Sequence, residues 1–355
     1  MNMETSVKNI QTLTHEIGRP VVFMEVCGTH TVSAFRTGLR SLLPDAVTLL
    51  SGPGCPVCVT PTGYLDTAIA ITKKQRTIIA TFGDMLRVPG TESSLEREKA
   101  LGADIRMVYS PTDALKMAKE TPNTSVVFLG VGFETTTPAV AWTIKEAMDK
   151  HIENYFVLCA HKTVPEAMMT LVSAGDVNLD GFLCPGHVSV ITGSDVYGPV
   201  CAKAKIPCVV AGFEALDMAR GIEMLAQQVA EHRAEVEVEY TRSVTPKGNA
   251  EAQRLCSEVF EKCDTQWRGF GVIPQSGLRI SDTYASTDAS IAFQNLTVPA
   301  PKDHSACRCG DVLRGACIPP GCPLFGKACT PSTPVGACMV SSEGACAAYH
   351  KYGAS

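Results

Sequence analysis

Cys55 and Cys58 stand three positions apart in Gly52-Pro53-Gly54-Cys55-Pro56-Val57-Cys58, the spacing at which two thiols close a disulfide or supply half of a metal site. They follow an apolar run and precede a helix-like stretch, where a helix N-terminus favours thiolate. That placement predicts a redox dithiol, and Pro56 between the cysteines favours disulfide closure. Half of a zinc site, which needs two more ligands, and chance spacing in a cysteine-rich chain are the alternatives. Cys27 has no such partner and is followed by Gly28-Thr29-His30. A core-filling cysteine is more often followed by apolar residues, so Cys27 is expected to be a reactive or metal-binding thiol, with Gly28 permitting close backbone approach and His30 near enough to act as base or donor.

Seven of the sixteen cysteines crowd into the forty residues from Cys307 to Cys346, whereas nine are spread from Cys27 to Cys263. Prolines and glycines dominate the segment from Pro299 onward, so metal is expected to take the place of a hydrophobic core there. Four soft thiolates in such a segment suit zinc or an iron–sulfur cluster, and spacing alone does not choose. A redox dithiol needs an electron relay, which zinc cannot be, and this favours iron–sulfur. Cys159, Cys184, Cys201, Cys208, Cys256 and Cys263 lack ligand spacing and read as core filler.

These groups must be positioned by a repeated pattern of short β-branched runs, each ending in a polar or glycine turn and followed by a helix-like stretch, which is the grammar of parallel α/β sheets. One series comprises Val21–Val26, Val47–Leu50, Thr77–Thr81 and Ile105–Tyr109; a second comprises Ser125–Leu129, Tyr155–Cys159, Gly181–Cys184 and Cys208–Ala211. The expected architecture is two similar parallel-sheet α/β domains facing a cleft, residues 1–120 and 121–240, plus a cysteine-rich iron–sulfur domain over 241–355. Gly132-Phe133-Glu134 recurs as Gly212-Phe213-Glu214, as duplicated halves would show. A strand at Glu235–Tyr240 is expected to open the third region, followed by a helix over Glu251–Glu261 and a loop from Trp267 to Gly277. Ligands of parallel sheets bind beyond the C-terminal strand ends. Cys27, His30, Cys55, Cys58, Gly83-Asp84, Glu134, His161 and His187 all fall there. Satisfied surface histidines remain the plain alternative for His30, His161 and His187, and first-turn helix charge for Glu134.

Composition narrows the function classes. A net charge of −5 and a pI near 5.9 give no basic field for nucleic acid. No apolar run reaches about eighteen residues, and Met1–Arg19 is polar, so a cytoplasmic protein with no membrane span is expected.

The segments Phe23–His30, Gly52–Cys58, Gly132-Phe133-Glu134-Thr135-Thr136-Thr137-Pro138, Pro185-Gly186-His187-Val188 and Cys338–Cys346 together resemble the HypD family of nickel–iron hydrogenase maturation proteins, from about residue 20 to the end. The resemblance implies a redox-active assembly scaffold rather than a conventional turnover enzyme. On it an iron centre with cyanide and carbon monoxide ligands, Fe(CN)2CO, is built with a HypC-type small chaperone, cyanide arriving from a HypE-type thiocyanate carrier. By motif, Cys27 would bind that iron jointly with a chaperone cysteine, and Cys55 with Cys58 would be the redox pair. His30, Glu134, His161 and His187 would polarise groups or move protons. A 4Fe–4S cluster is assigned to Cys309, Cys322, Cys329 and Cys346, with Cys338 and Cys307 as nearest substitutes and Cys317 incidental. The main rival is an iron–sulfur thiol–disulfide reductase of the ferredoxin–thioredoxin reductase type, which would not need Cys27; a zinc-stapled binding scaffold is a third.

Overall fold

The computed structural model describes residues 2–175 and 177–353. Nine of its strands are β1 (Val21–Glu25), β2 (Val47–Ser51), β3 (Thr77–Thr81), β4 (Ile105–Met107), β5 (Ser125–Gly130), β6 (Tyr155–Cys159), β7 (Gly181–Pro185), β8 (Cys208–Ala211) and β9 (Val236–Val238). They form two wholly parallel sheets, ordered β2-β1-β7-β8-β9 and β4-β3-β5-β6. Central strands such as β3, β7 and β8 are buried along their whole length, as parallel strands covered by helices on both faces require. All eight apolar runs of the sequence are therefore strands, but their division between sheets differs from expectation. The chain leaves the first sheet after β2, builds the whole second sheet, and returns at β7. The expected boundary at residue 120 falls between β4 and β5, which both belong to the second sheet.

The joint between β1 and β7 is closely filled. Phe23 of β1 pairs with Leu49 of β2 on one side and Gly181 of β7 on the other. A Cβ at Gly181 would lie 3.3 Å from the Phe23 ring and 2.9 Å from Leu225, so the phenyl ring and a helix leucine fill the space above that glycine. Numbered within its own sheet, the first set of strands has the order 2-1-3-4-5 and the second 2-1-3-4, the doubly wound arrangement whose ligand crevice opens between the first and third strands. In the first sheet that crevice lies between β1, which leads to Cys27, and β7, which leads to His187. The likeness of the two sheets does not align the repeated tripeptides: Gly132-Phe133-Glu134 follows the third strand of its sheet and Gly212-Phe213-Glu214 the fourth.

Residues 241–355 do not form one unit either. β9 is the edge strand of the first sheet, pairing Val209 with Glu237. After the helix Ala250–Val259, β10 (Phe260–Trp267) and β11 (Gly271–Ile280) make an antiparallel hairpin; β10 begins where the end of the helix was expected, and β11 takes up most of the expected loop from Trp267 to Gly277. Gly269, Gly271, Pro274 and Gly277 hid β11; Gly269 and Gly271 take positive φ at the turn, and the register shifts between Cys263 and Thr265. Val259, Phe260, Ile280 and Tyr284 pack into the core of the second sheet. The cysteine segment instead joins the core around Met24, Val26, Cys55 and Cys58, and brings buried Val312, Leu313, Ala337 and Met339 of its own. It is thus not devoid of apolar core.

The tightest joint is at Gly54. A Cβ there would stand 2.2 Å from the Cys27 nitrogen and 2.3 Å from its Cα, atoms that cannot swing aside. Gly54→Ala is expected to lower stability by about 1–3 kcal/mol, the usual cost of overpacking. Gly198→Ala, with nothing within 4 Å of the added carbon, should be neutral or gain up to about 1 kcal/mol. Anaerobic urea denaturation of both variants checks this, and equal midpoints would refute the tight joint.

Candidate thiol and metal centre

Cys27 ends the turn after β1 and occupies the N-cap of the helix Gly28–Arg36. Its position is set from two sides. The Gly28 N–H donates to the Gly54 carbonyl at 2.9 Å, laying the Gly52–Cys58 loop against the Cys27 backbone. On the other side Gly28 faces Glu343, where any Cβ would come within 2.6 Å, and Thr29 Oγ1 donates to Glu343 Oε1 at 2.6 Å. Burial pushes the Cys27 thiol up to about 12, and the charges of Glu343 and Glu25 push the same way. A thiol so placed keeps its proton until a cation offsets the neighbouring carboxylates.

Cys55 and Cys58 are joined as a disulfide, with Cα atoms 5.3 Å apart. Cys55 caps the short helix Pro56–Val59, its Sγ accepting the Cys58 N–H at 3.2 Å. Both residues are buried, at 3% and 0% exposure. Against this helix packs another, Ala337–Val340, which carries Cys338.

Behind it lies a small cavity lined by Cys307, Cys309, Cys322, Cys329, Cys338 and Cys346, together with Leu324, Phe325 and Met339. The four expected ligands and both substitutes are thus together, while Cys317 stands outside and donates to the Ile318 carbonyl. The Cys309 and Cys338 sulfurs are 2.6 Å apart. Hydrogen bonds from Cys307 and Cys338, then the charge of Arg268, hold the Cys309 thiol well below its ordinary value. The Val335 N–H donates to Cys329 Sγ at 3.3 Å. The hydrogen bonds to Cys309 raise Cys307 and Cys338, so the three thiols share their protons; soft sulfur donors and apolar walls fit a thiolate-held iron–sulfur group. The Cys338–Cys346 turn is pinned from the second sheet: Asp84, after β3, accepts from Ser341 Oγ (3.0 Å), the Ser342 N–H (3.0 Å) and Ser342 Oγ (3.2 Å).

The polar groups expected in one cleft divide between the two sheets. His30 and His187 belong to the first, with Phe213 between their rings at 4.7 and 3.9 Å. His30 is fully buried and its Nε2 lies 2.9 Å from the Gly212 carbonyl, which can only accept, so Nε2 carries the hydrogen. Burial lowers its pKa to about 4; the neutral ring ties the Phe213 turn to Cys27's helix and leaves Nδ1 without a partner. His187 is exposed; partial burial lowers its pKa and Glu343 opposes that. Glu134 and His161 belong to the second sheet. His161 is buried and uncharged, its pKa lowered to about 3, with Nδ1 3.4 Å from Cys159 Sγ. Glu134 is buried, pushed up to about 8, and its Oε1 accepts the Val164 N–H at 2.9 Å. Among the expected filler, Cys184, Cys201 and Cys208 are core, while Cys159, Cys256 and Cys263 are only half-buried.

Four residues at the centre carried no separate expectation. Glu25 is fully buried under Cys27, accepts from Thr31 Oγ1 at 2.5 Å, and is raised to about 7 by burial against the pull of Arg40. Arg40 lies 4.5 and 5.5 Å from the Phe35 and Tyr349 rings and donates to Ser51, so it ties the C-terminal helix to β2. Phe213 and Glu343 complete the set. Glu25 and Glu343 did lie within motifs already singled out, and Phe213 within the repeated tripeptide.

With this geometry in view, comparison with known proteins is informative. Residues 2–353 match the family model described as HypD, "Hydrogenase formation hypA family". The Hydrogenase maturation factor HypD of Escherichia coli (strain K12) is 46% identical over 344 residues, 96% of this chain and 91% of that protein. The factor of the same name from Azotobacter vinelandii is 47% identical over 337 residues, 93% and 89% of the two chains. A putative hydrogenase expression/formation protein of Methanocaldococcus jannaschii is 42% identical over 352 residues, 99% and 97% of the two. Both the family model and these relatives span nearly the whole chain, and the chain belongs to the HypD family of hydrogenase maturation factors.

Proposed function

We propose that the chain is a cytoplasmic scaffold on which the iron of a nickel–iron hydrogenase receives its cyanide ligands. Cys27 and a cysteine of a HypC-type chaperone would hold the iron as cargo, with a HypE-type carrier delivering cyanide as a protein thiocyanate. The observation that carries this is the backbone joint at Gly54, which sets one separate thiol beside a closed dithiol and under the Glu343 turn of the cysteine-rich segment.

Release of cyanide from a thiocyanate takes two electrons. The balanced step is thiocyanate plus two thiols going to carrier thiol, hydrogen cyanide and a disulfide: the carrier's S–CN bond breaks, the Cys55–Cys58 bond forms, and the two thiol protons leave on the carrier sulfur and on cyanide. The closed Cys55–Cys58 bond is the product state of that step. His187, exposed just after β7 and close enough to Glu343 to feel its charge, would take the proton from hydrogen cyanide or from Cys27. His30 positions rather than transfers, since Nε2 is committed to backbone. Cys309, Cys322, Cys329 and Cys346 would hold the resident 4Fe–4S cluster, with Cys338 and Cys307 in reserve; bound there, it would supply single electrons. A general disulfide reductase needs an accessible sulfur for in-line attack on a protein disulfide. The burial of both Cys55 and Cys58 suits a slender thiocyanate better.

Anaerobically purified protein should contain about four iron and four sulfide per chain, and Cys322→Ala or Cys329→Ala should lose them; full iron and sulfide in both variants would overturn the ligand assignment. Reduced protein mixed with the carrier thiocyanate should release one cyanide for each Cys55–Cys58 disulfide formed, and the double variant Cys55→Ser with Cys58→Ser should release none. Cyanide release by that variant at the parent rate would contradict the dithiol's role.

A further inference from the structure

Beyond the C-terminal ends of β5 and β6 the second sheet carries a cavity of about 500 Å3 that shares no lining residue with the thiol centre. That is the size of a small-molecule site, at the end of a parallel sheet where such sites form. Part of its wall is apolar, from Val196, Phe260 and Leu278. The polar part is built from the start of the helix Val164–Ala174, whose N-cap is Thr163 and whose third residue is Glu166. Neither side chain caps that helix. Glu134 Oε1 takes the Val164 N–H instead, and Pro165 has no N–H to offer.

Three buried oxygens are left without a partner among the described residues: Glu134 Oε2, Thr163 Oγ1 and Glu166 Oε2. Glu134 and Thr163 are only 8% and 6% exposed. Lys262, the one cationic side chain lining the cavity among the described residues, is already paired with Glu166 Oε1 at 2.5 Å. The cavity therefore holds three oxygens with unused acceptor capacity and, once Glu134 gives up its proton, one negative charge that Lys262 does not balance. An ammonium meets both, with three N–H groups and a single charge, whereas a guanidinium brings five donors in a fixed plane and would leave two unmet. In the empty cavity burial raises Glu134 to about 8, so the carboxyl keeps its proton until a cation arrives.

We propose that this cavity binds a primary ammonium on an apolar stem, with Glu134, Thr163 and Glu166 each accepting one N–H. The ligand is either a free alkylamine or a lysine side chain presented by a partner. Cys27, Cys55, Cys58 and the six cysteines of the C-terminal cavity are not among its lining residues, so ammonium binding is read separately from cyanide release and cluster content.

Isothermal titration calorimetry on the full chain, prepared anaerobically, tests it with n-pentylammonium, the neutral 1-pentanol, and Nα-acetyl-lysine-N-methylamide. The ammonium should bind one per chain and at least about tenfold more tightly than pentanol, the discrimination expected when buried acceptors are left unmet. Glu134→Gln should weaken the ammonium by about tenfold and pentanol little, and Thr163→Val should weaken it by about fivefold. Tighter binding of the lysine amide than of pentylammonium would identify a partner's lysine as the ligand, and the reverse a free amine. Equal affinity of ammonium and pentanol for the unaltered protein, a comparison that needs no variant to fold, would overturn the proposal, as would full ammonium affinity in folded Glu134→Gln.

Discussion

The close backbone approach of Gly54 to Cys27 is the constraint on which the rest of the centre depends. β1 and β2 are neighbours in the first sheet, so the two loops leaving their C-terminal ends must share one small volume. Side chains at their contact would push them apart. With glycine at 54 and 28, the Gly28 N–H reaches the Gly54 carbonyl at 2.9 Å, and Glu343 descends onto Gly28 from above. Three stretches of chain remote in sequence are thereby fixed by main-chain geometry, which is stiffer than any side-chain contact. The thiols inherit that stiffness.

Burial then decides the charge state of nearly every group around them. Glu25 is raised to about 7, His30 lowered to about 4 and Cys27 raised to about 12, each with desolvation as the leading cause. Such a centre keeps the Cys27 thiol and the His30 ring uncharged beside carboxylates, and it gains most from a ligand that brings positive charge. The same logic operates in the second sheet, where Glu134 is raised to about 8 in a cavity with unmet acceptors. Two sheets that share the 2-1-3-4 arrangement of their first four strands thus carry differently equipped strand ends.

Much of this was legible in the sequence, because period and composition report local structure directly. All eight apolar runs are strands, and Cys27 and Cys55 do follow two of them. The six cysteines of the C-terminal cavity were visible from density alone. Sheet membership was not: a strand's pattern says that it is buried on both faces but not which strand lies beside it, and the packing of Phe23 over Gly181 where β7 meets β1 is a contact remote in sequence. Gly269, Gly271 and Pro274 read as loop although a bulged hairpin accommodates them. The division of Glu134 and His161 from His30 and His187 follows from that same sheet membership, as does the reach of Asp84 to Ser341 and Ser342.

The central claim is that the separate thiol, not the dithiol, holds the iron while cyanide arrives. Infrared spectra of the chain copurified anaerobically with its small chaperone test it most directly, since cyanide and carbonyl stretches lie where protein is transparent. The unaltered protein should show both sets of bands, and Cys27→Ala should lose them while keeping its cluster absorbance and its Cys55–Cys58 couple. Bands of full intensity in Cys27→Ala would contradict the account.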